Sequence, residues 1–183
     1  MNLLRDTTAL ALAMCEKYIN ENSVAVDATC GNGNDTLWLV NHCSKVYAFD
    51  IQKEAVEATR ILLEESGKRA ELICDSHSKL CEYVKEPPDV VVFNLGYLPG
   101  GDKSITTTAE ETLFALERAL DILAVNGLLS ITMYPGHPQG ACEQEMILEW
   151  AKKLDKSKFH CVFAGMINQP CGAPQILWIT KKK

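Results

Sequence analysis

The stretch SVAVDATCGNGNDT, residues Ser23 to Thr36, decides the fold. Val24, Ala25 and Val26 make a short apolar run of the kind that forms a buried strand, and Asp27 ends it. Gly31 and Gly33 follow in a loop, where glycine lets the backbone approach a ligand closely and adopt dihedrals closed to other residues. Asn34-Asp35-Thr36 then opens a helix capped by Asn34 or Asp35, and its N-terminal dipole favours an anionic group nearby. Such a unit lays a nucleotide-like ligand across strand ends. The spacing does not complete G-x-G-x-x-G, because Thr36 stands at the third glycine position; the pattern is D-x-x-x-G-x-G.

Working outward, a second strand from Lys45 to Asp50 ends in another acid, 17 residues beyond Gly33. An acid at that place accepts both ribose hydroxyls of a bound nucleoside. Asp27 with the CGNG loop, and Asp50 as the ribose acid, resemble the first motifs of the class I S-adenosylmethionine-dependent methyltransferases. More narrowly, DATCGNGNDT, FNLGYLPGGDK and MYPGHPQG together resemble a small bacterial family long labelled rRNA methylases. That family has since been associated with methylating the amine of 5-aminomethyl-2-thiouridine at the tRNA wobble position. The resemblance covers nearly the whole chain, and its second and third motifs are the more particular. It implies S-adenosylmethionine as cofactor. The contacts would come from Asp27, Cys30, Gly31, Asn32, Gly33, Asn34 and Asp35 in the first loop, and from Asp50, Ile51 and Gln52 after the second strand. Asp75, Ser76 and His77 after the third strand and Asn94 at the fourth would complete them.

At 183 residues the chain is read as one domain, residues 1–183, with length enough for a substantial core. Hydrophobic residues at 47% and charged residues at 23% are those of an ordinary globular protein. The apolar patch Ala9 to Met14 lies between Arg5-Asp6 and Glu16-Lys17, too short for a span of about 20 residues. No signal peptide or membrane segment fits, and a cytoplasmic location is expected. The eight cysteines contain no C-x-x-C pair, and several, such as Cys74 and Cys161, sit in apolar runs. Buried free thiols are therefore expected, and no metal. The net charge of −6 opposes broad, nonspecific binding to nucleic acid, leaving room for a local patch around one nucleotide. Lys103, Arg118, the lysines from Lys152 to Lys158 and the terminal lysines are the candidates.

Along the chain the periodicity predicts a helix over 6–20, then strand one and its loop. Helices follow at 36–41, 52–66, 78–83, 106–123 and 141–154, and strands at 45–50, 70–74, 89–93, 127–133, 159–164 and 175–180. Strands alternating with helices mean a mostly parallel α/β sheet covered on both faces, a doubly wound Rossmann-like arrangement of seven strands. Strands six and seven are joined without a helix, so the last strand is expected to be antiparallel. Binding belongs where strands one, two and four present their C-terminal ends. The resemblance implies that Asp75 there holds an adenine amino group; the residue types allow equally a plain cap, by Asp75 or Ser76, of the short helix that follows.

Asn94-Leu95-Gly96-Tyr97 resembles, with Leu-Gly in place of Pro-Pro, the Asn/Asp-Pro-Pro-Tyr motif of amino-group methyltransferases. The resemblance implies that the Asn94 side-chain oxygen and the Leu95 carbonyl accept hydrogen bonds from the target amine, while Tyr97 packs on the base. Two acceptors orient the two N–H bonds and leave the lone pair free. Carbonyl dipoles and an aromatic face stabilise the positive charge that spreads in the transition state. The proton goes to Asp102, to His137 or to water, and the residues do not choose among them. Pro99-Gly100-Gly101 is a ligand loop or a plain turn. Tyr134-Pro-Gly-His137 reads as a wall of the substrate site, suited to a splayed-out nucleotide, and Lys103 as a substrate contact.

The leading expectation is methyl transfer to the aminomethyl nitrogen of the modified wobble uridine, in the tRNA anticodon loop. Its rivals are methylation of rRNA or a small amine, a non-catalytic nucleotide-binding scaffold, and a dehydrogenase, the last disfavoured by the glycine spacing. The resemblance suggests a homodimer.

Overall fold

A computed structural model describes residues 6–96 and 108–183. Its centre is a seven-stranded sheet of order β3-β2-β1-β4-β5-β7-β6. The strands are β1 (Val24–Asp27), β2 (Lys45–Asp50), β3 (Glu71–Cys74), β4 (Val90–Leu95), β5 (Leu128–Met133), β6 (Phe159–Ala164) and β7 (Gln175–Lys181). β1 to β5 run parallel, and β7 is inserted antiparallel between β5 and β6. The expected sheet and its antiparallel last strand are both found.

Each central strand is apolar on both sides, as a sheet covered on two faces requires. Val91, Phe93 and Leu95 of β4 pack with Leu116, Leu120 and Ile147. These come from α5 (Ala109–Ile122) and α6 (Pro138–Lys152). Val90 and Val92 face the other way, toward Ala11, Cys15 and Leu39. Those belong to α1 (Thr7–Cys15) and α2 (Asn34–Val40). α3 (Lys53–Glu65) lies beside α2 and against β2 and β3. The order reverses between β1 and β4, and the carboxyl ends of both strands open onto one crevice there.

Several expected boundaries move, each for a local reason. α1 stops at Cys15 instead of residue 20, where the chain tightens into a turn: the Lys17 N–H donates to the Met14 carbonyl at 3.1 Å and the Tyr18 N–H to the Cys15 carbonyl at 2.9 Å. α2 starts at Asn34 with Gly33 as its N-cap at φ 83°, and no side chain caps it, which overturns the cap assigned to Asn34 or Asp35. The helix expected at 78–83 is a 3-10 turn, His77–Lys79, followed by one α turn, α4 (Leu80–Tyr83). β4 continues two residues past Phe93 and so carries Asn94 within the sheet. α6 begins three residues early, since Pro138 fits the first helical turn and His137 caps it. α5 is capped by Thr108; the predicted start at Thr106 lies outside the described residues.

The thiols are corrected as well. Cys15 and Cys30 are buried, but Cys74, Cys81, Cys142, Cys161 and Cys171 are exposed. Cys74 and Cys161 lie on β3 and β6, the two edge strands, where an apolar run is covered on one side only. All eight cysteines are free, and no helix among the described residues is long and apolar enough to cross a membrane.

Candidate active site

The glycine loop is tied down from three sides. Asp27, wholly buried at the end of β1, turns its carboxylate into its own loop: it accepts the Thr36 hydroxyl at 2.6 Å and the Thr29 N–H at 3.2 Å. The Cys30 N–H donates to the Phe49 carbonyl of β2 at 2.8 Å, and the Ala28 N–H to the Val92 carbonyl of β4 at 2.8 Å. Thr59 of α3 donates its hydroxyl to the Gly31 carbonyl at 3.1 Å. Gly31 and Gly33 carry positive φ, 52° and 83°. The loop is thus a fixed concave turn across the crevice, with Asn32 and Asn34 exposed along it.

Asp50 closes one side. Its Oδ2 accepts the Gly31 N–H at 3.0 Å and its Oδ1 the Gln52 N–H at 2.9 Å. A carboxylate has about four lone-pair positions, so about two remain for a diol. Ile51 and Gln52 are half-buried beside it. Beyond β3, Ser76 caps the 3-10 turn, its hydroxyl accepting the Ser78 N–H at 3.2 Å and donating to Glu111 at 2.6 Å. Asp75 instead accepts from the Ser76 N–H, Lys79 and the Tyr83 hydroxyl, and these partners hold its carboxyl below the usual range, Lys79 most strongly. The cap role left open between the two therefore falls to Ser76. His77 is buried, with Nδ1 3.2 Å from the Ala28 carbonyl, and burial lowers its pKa. A carbonyl only accepts, so Nδ1 carries the proton, and the buried Nε2, without a partner among the described residues, is a bare acceptor.

Asn94 stands at the reversal point. Its N–H donates to the Thr29 hydroxyl at 2.7 Å, and its side-chain Nδ2 donates to Asp35 Oδ2. Its Oδ1 is buried and has no partner among the described residues. Leu95 is buried and Gly96 exposed at a bend, where a Cβ would stand 3.2 Å from the Tyr134 ring. Tyr134 in turn lines, with Asp6, Thr7, Thr8 and Pro174, an open cavity of about 510 Å³. Burial, the largest cause, raises the Tyr134 pKa. His137 is half-buried next to this wall, but its Nδ1 accepts the Gly140 N–H at 3.0 Å as the α6 cap. That bond takes one ring nitrogen out of use as a proton acceptor. Tyr97, Asp102 and Lys103 lie outside the described residues. Thr29, Thr59 and Thr8 are the residues sequence reasoning passed over. Thr29 sits inside the quoted motif, while the fold alone brings Thr59 of α3 to the loop and Thr8 of α1 to the cavity beside Tyr134.

The crevice is electrically lopsided. Burial is the main cause that raises the pKa of both Asp27 and Asp35. Neighbouring acids add to it, Asp35 for Asp27 and Asp6 for Asp35, while the Thr36 and Asn94 hydrogen bonds pull the other way. A carboxyl whose native pKa exceeds its unfolded value of about 3.9 binds its proton more tightly when folded, so stability falls as pH rises through that window. Asp27→Asn removes this term. In thermal melts without ligand, the gap between Asp27→Asn and wild type should shift by about 3 °C in favour of the variant from pH 6 to pH 8. His77, common to both proteins, cancels in that difference. A gap independent of pH would mean that Asp27 titrates alike in both states. Cys30 is pushed up to about 12, chiefly by burial, and stays a thiol.

Comparison with known proteins follows the same line. The family described as "Putative rRNA methylase" matches residues 46–180. A tRNA (mnm(5)s(2)U34)-methyltransferase of Arabidopsis thaliana, chloroplastic, is 41% identical over 194 aligned residues, covering 98% of this chain and 70% of that protein. A Clostridium thermocellum structure assigned as an rRNA methylase is 36% identical with a TM-score of 0.93, covering 96% of this chain and 97% of that one. A Streptococcus mutans structure assigned as a methyltransferase, in complex with SAH, is 37% identical with a TM-score of 0.90 and covers 96% and 98%.

Proposed function

The chain belongs to the rRNA methylase family of S-adenosylmethionine-dependent methyltransferases, and from that premise we propose that it methylates the aminomethyl nitrogen of 5-aminomethyl-2-thiouridine at the wobble position of tRNA. The product is 5-methylaminomethyl-2-thiouridine. The observation that carries the amine is the buried Asn94 Oδ1 at the carboxyl end of β4, an acceptor without a donor among the described residues. The nucleoside rests on the relative from Arabidopsis thaliana.

The residues present fit the cofactor. Asp50 keeps lone pairs for a ribose, the loop at Gly31 and Gly33 admits close backbone approach, and His77 offers an acceptor near the Asp75-Ser76 turn. Bound there, S-adenosylmethionine supplies an electrophilic methyl group on a sulfonium. Asn94 Oδ1 and the Leu95 carbonyl take the two N–H bonds of a neutral amine and leave its lone pair directed at that carbon. The transfer would form the N–C bond as the C–S bond breaks, leaving the electron pair on sulfur and one proton for the nitrogen to lose. With His137 Nδ1 committed to its cap, Asp102 or water is the better acceptor for that proton. Tyr134 and His137 offer an aromatic wall for the base; the roles of Tyr97, stacking on the base, and of Lys103, a substrate contact, rest on the resemblance and on residue type.

A pairing of two copies along β6 accompanies this reading: Val162 and Phe163 are about half exposed on that edge strand, at 55% and 49%. The cytoplasm, where free thiols persist, suits the eight cysteines.

Nucleoside mass spectrometry of a strain lacking the protein tests the substrate. Accumulation of 5-aminomethyl-2-thiouridine, with the methylated form lost, is the expected result. Unchanged tRNA together with one missing rRNA methyl group would overturn it in favour of rRNA, and unchanged RNA of both kinds would point to a small amine.

A further inference from the structure

We propose that Asp35 is a positioning residue whose carboxylate locks the Asn94 amide in the one orientation that turns its carbonyl oxygen toward the substrate nitrogen. The proposal rests on the amine-methylating reading above, and on a contact that reading does not need. A side-chain amide is nearly symmetric in shape, with two donors at one end and an acceptor at the other. Left alone at the end of β4, Asn94 would present either end to the crevice. Asp35 Oδ2 accepts from Asn94 Nδ2, and an ionised carboxylate can only accept. The nitrogen end is therefore held against Asp35, and Oδ1 points away from it, buried and unpartnered. The backbone of Asn94 is fixed independently by its bond to Thr29, so the side-chain torsion is what Asp35 controls.

The placement of Asp35 supports a role beyond the loop. It sits in the first turn of α2, yet it does not cap that helix, which has no side-chain cap. Among the described residues the groups facing it are Asp6 ahead of α1, Cys15 on α1, Asp27 on β1, Tyr134 after β5 and Asn94 on β4. None of these is a cation, so the Asn94 amide is the hydrogen bond that stabilises the Asp35 anion. Each member of the pair thus fixes the other. When Asp35 takes up a proton it gains an O–H donor, and the flipped amide, with Oδ1 toward Asp35, becomes equally good. The correct orientation belongs to the ionised form.

The test compares wild type, Asp35→Asn, Asn94→Ala and the double variant, using tRNA from a strain that accumulates the unmethylated nucleoside. Asp35→Asn keeps the size of the side chain but lets the two amides pair either way round. Its kcat should fall about 10- to 100-fold, as for a misplaced reacting group, with the KM for tRNA and the affinity for SAH within about 3-fold. On the Asn94→Ala background the same change should cost nothing further, because the group it orients is gone. Losses that multiply, or a loss that falls on SAH affinity, would overturn the proposal and leave Asp35 a cofactor contact. Should wild type itself fail to methylate this tRNA, the substrate reading fails, and the positioning role is read separately from the Asn94 side-chain amide signal by NMR. That signal should move as Asp35 titrates; a signal indifferent to pH would overturn the lock.

Discussion

Asn94→Ala should fold normally, bind SAH within about 3-fold of wild type, and transfer methyl groups about 100-fold or more slowly, the scale on which one preorganised hydrogen-bonding group acts. The reasoning starts from the strand. Asn94 lies inside β4, with Phe93 and Leu95 buried on either side of it, so the backbone there is set by sheet pairing to Thr132 and not by the side chain. Truncation removes one bond, to Asp35, and one unpartnered acceptor. Losing the unpartnered acceptor costs the fold nothing, but losing the bond to Asp35 leaves that half-buried carboxylate without its donor, a cost of about 1–3 kcal/mol that the melts read as a Tm lower by a few degrees in a protein that still folds. What disappears is an oxygen placed before the substrate arrives. Without it, one N–H of the amine is unheld and the lone pair wanders from the line of attack. Single-turnover rates at saturating cofactor, beside SAH titrations and thermal melts, separate these effects. Wild-type turnover in the variant would remove Asn94 from the mechanism.

Much of this site was legible in the sequence because its parts are local. A strand, an acid and two glycines lie within Ser23–Thr36, and the second acid ends the next apolar run. The sheet was legible for the same reason: apolar runs alternating with helical periods admit few arrangements. Asp27 and Asn34 mark where local reading stops. An acid at a strand end reads as facing a ligand, whereas Asp27 turns its carboxylate back to Thr36 and Thr29, and only burial of the whole loop reveals this. Asn34 reads as a cap by type, but the turn is fixed by a bond between Gly31 and Asp50, 19 residues apart, and Gly33 takes the cap position. His137 reads as an active-site base in a stiff loop, and its ring begins a helix. The Asp35–Asn94 contact spans 59 positions and leaves no trace in spacing or composition. Cys74 and Cys161 went astray because an apolar run does not say whether its strand lies at an edge.

Gly33→Ala should lower Tm by about 10 °C and weaken SAH binding more than about 10-fold, although it adds a single methyl group. Gly33 has φ 83°, in the left-handed region that costs a side-chain-bearing residue about 1–2 kcal/mol. A Cβ there would stand 2.9 Å from Thr59 Cα, 3.0 Å from its Oγ1 and 3.1 Å from its Cγ2. The first of these is backbone, in the middle of α3, so no rotamer change relieves it. Either α3 withdraws or the loop does. Withdrawal breaks the Thr59–Gly31 bond, and displacement of the loop breaks the Gly31–Asp50 bond that aims the ribose acid. Gly67→Ala is the matched control, with φ 64° and no atom within 4 Å of an added Cβ. It bears the backbone cost alone, about 1 kcal/mol or about 3 °C, and leaves SAH binding intact. Thr59→Ala in the Gly33→Ala background should restore little, since the clash with the helix backbone at residue 59 remains. Equal losses at positions 33 and 67 would show that dihedral preference, and not the approach of α3, sets the loop.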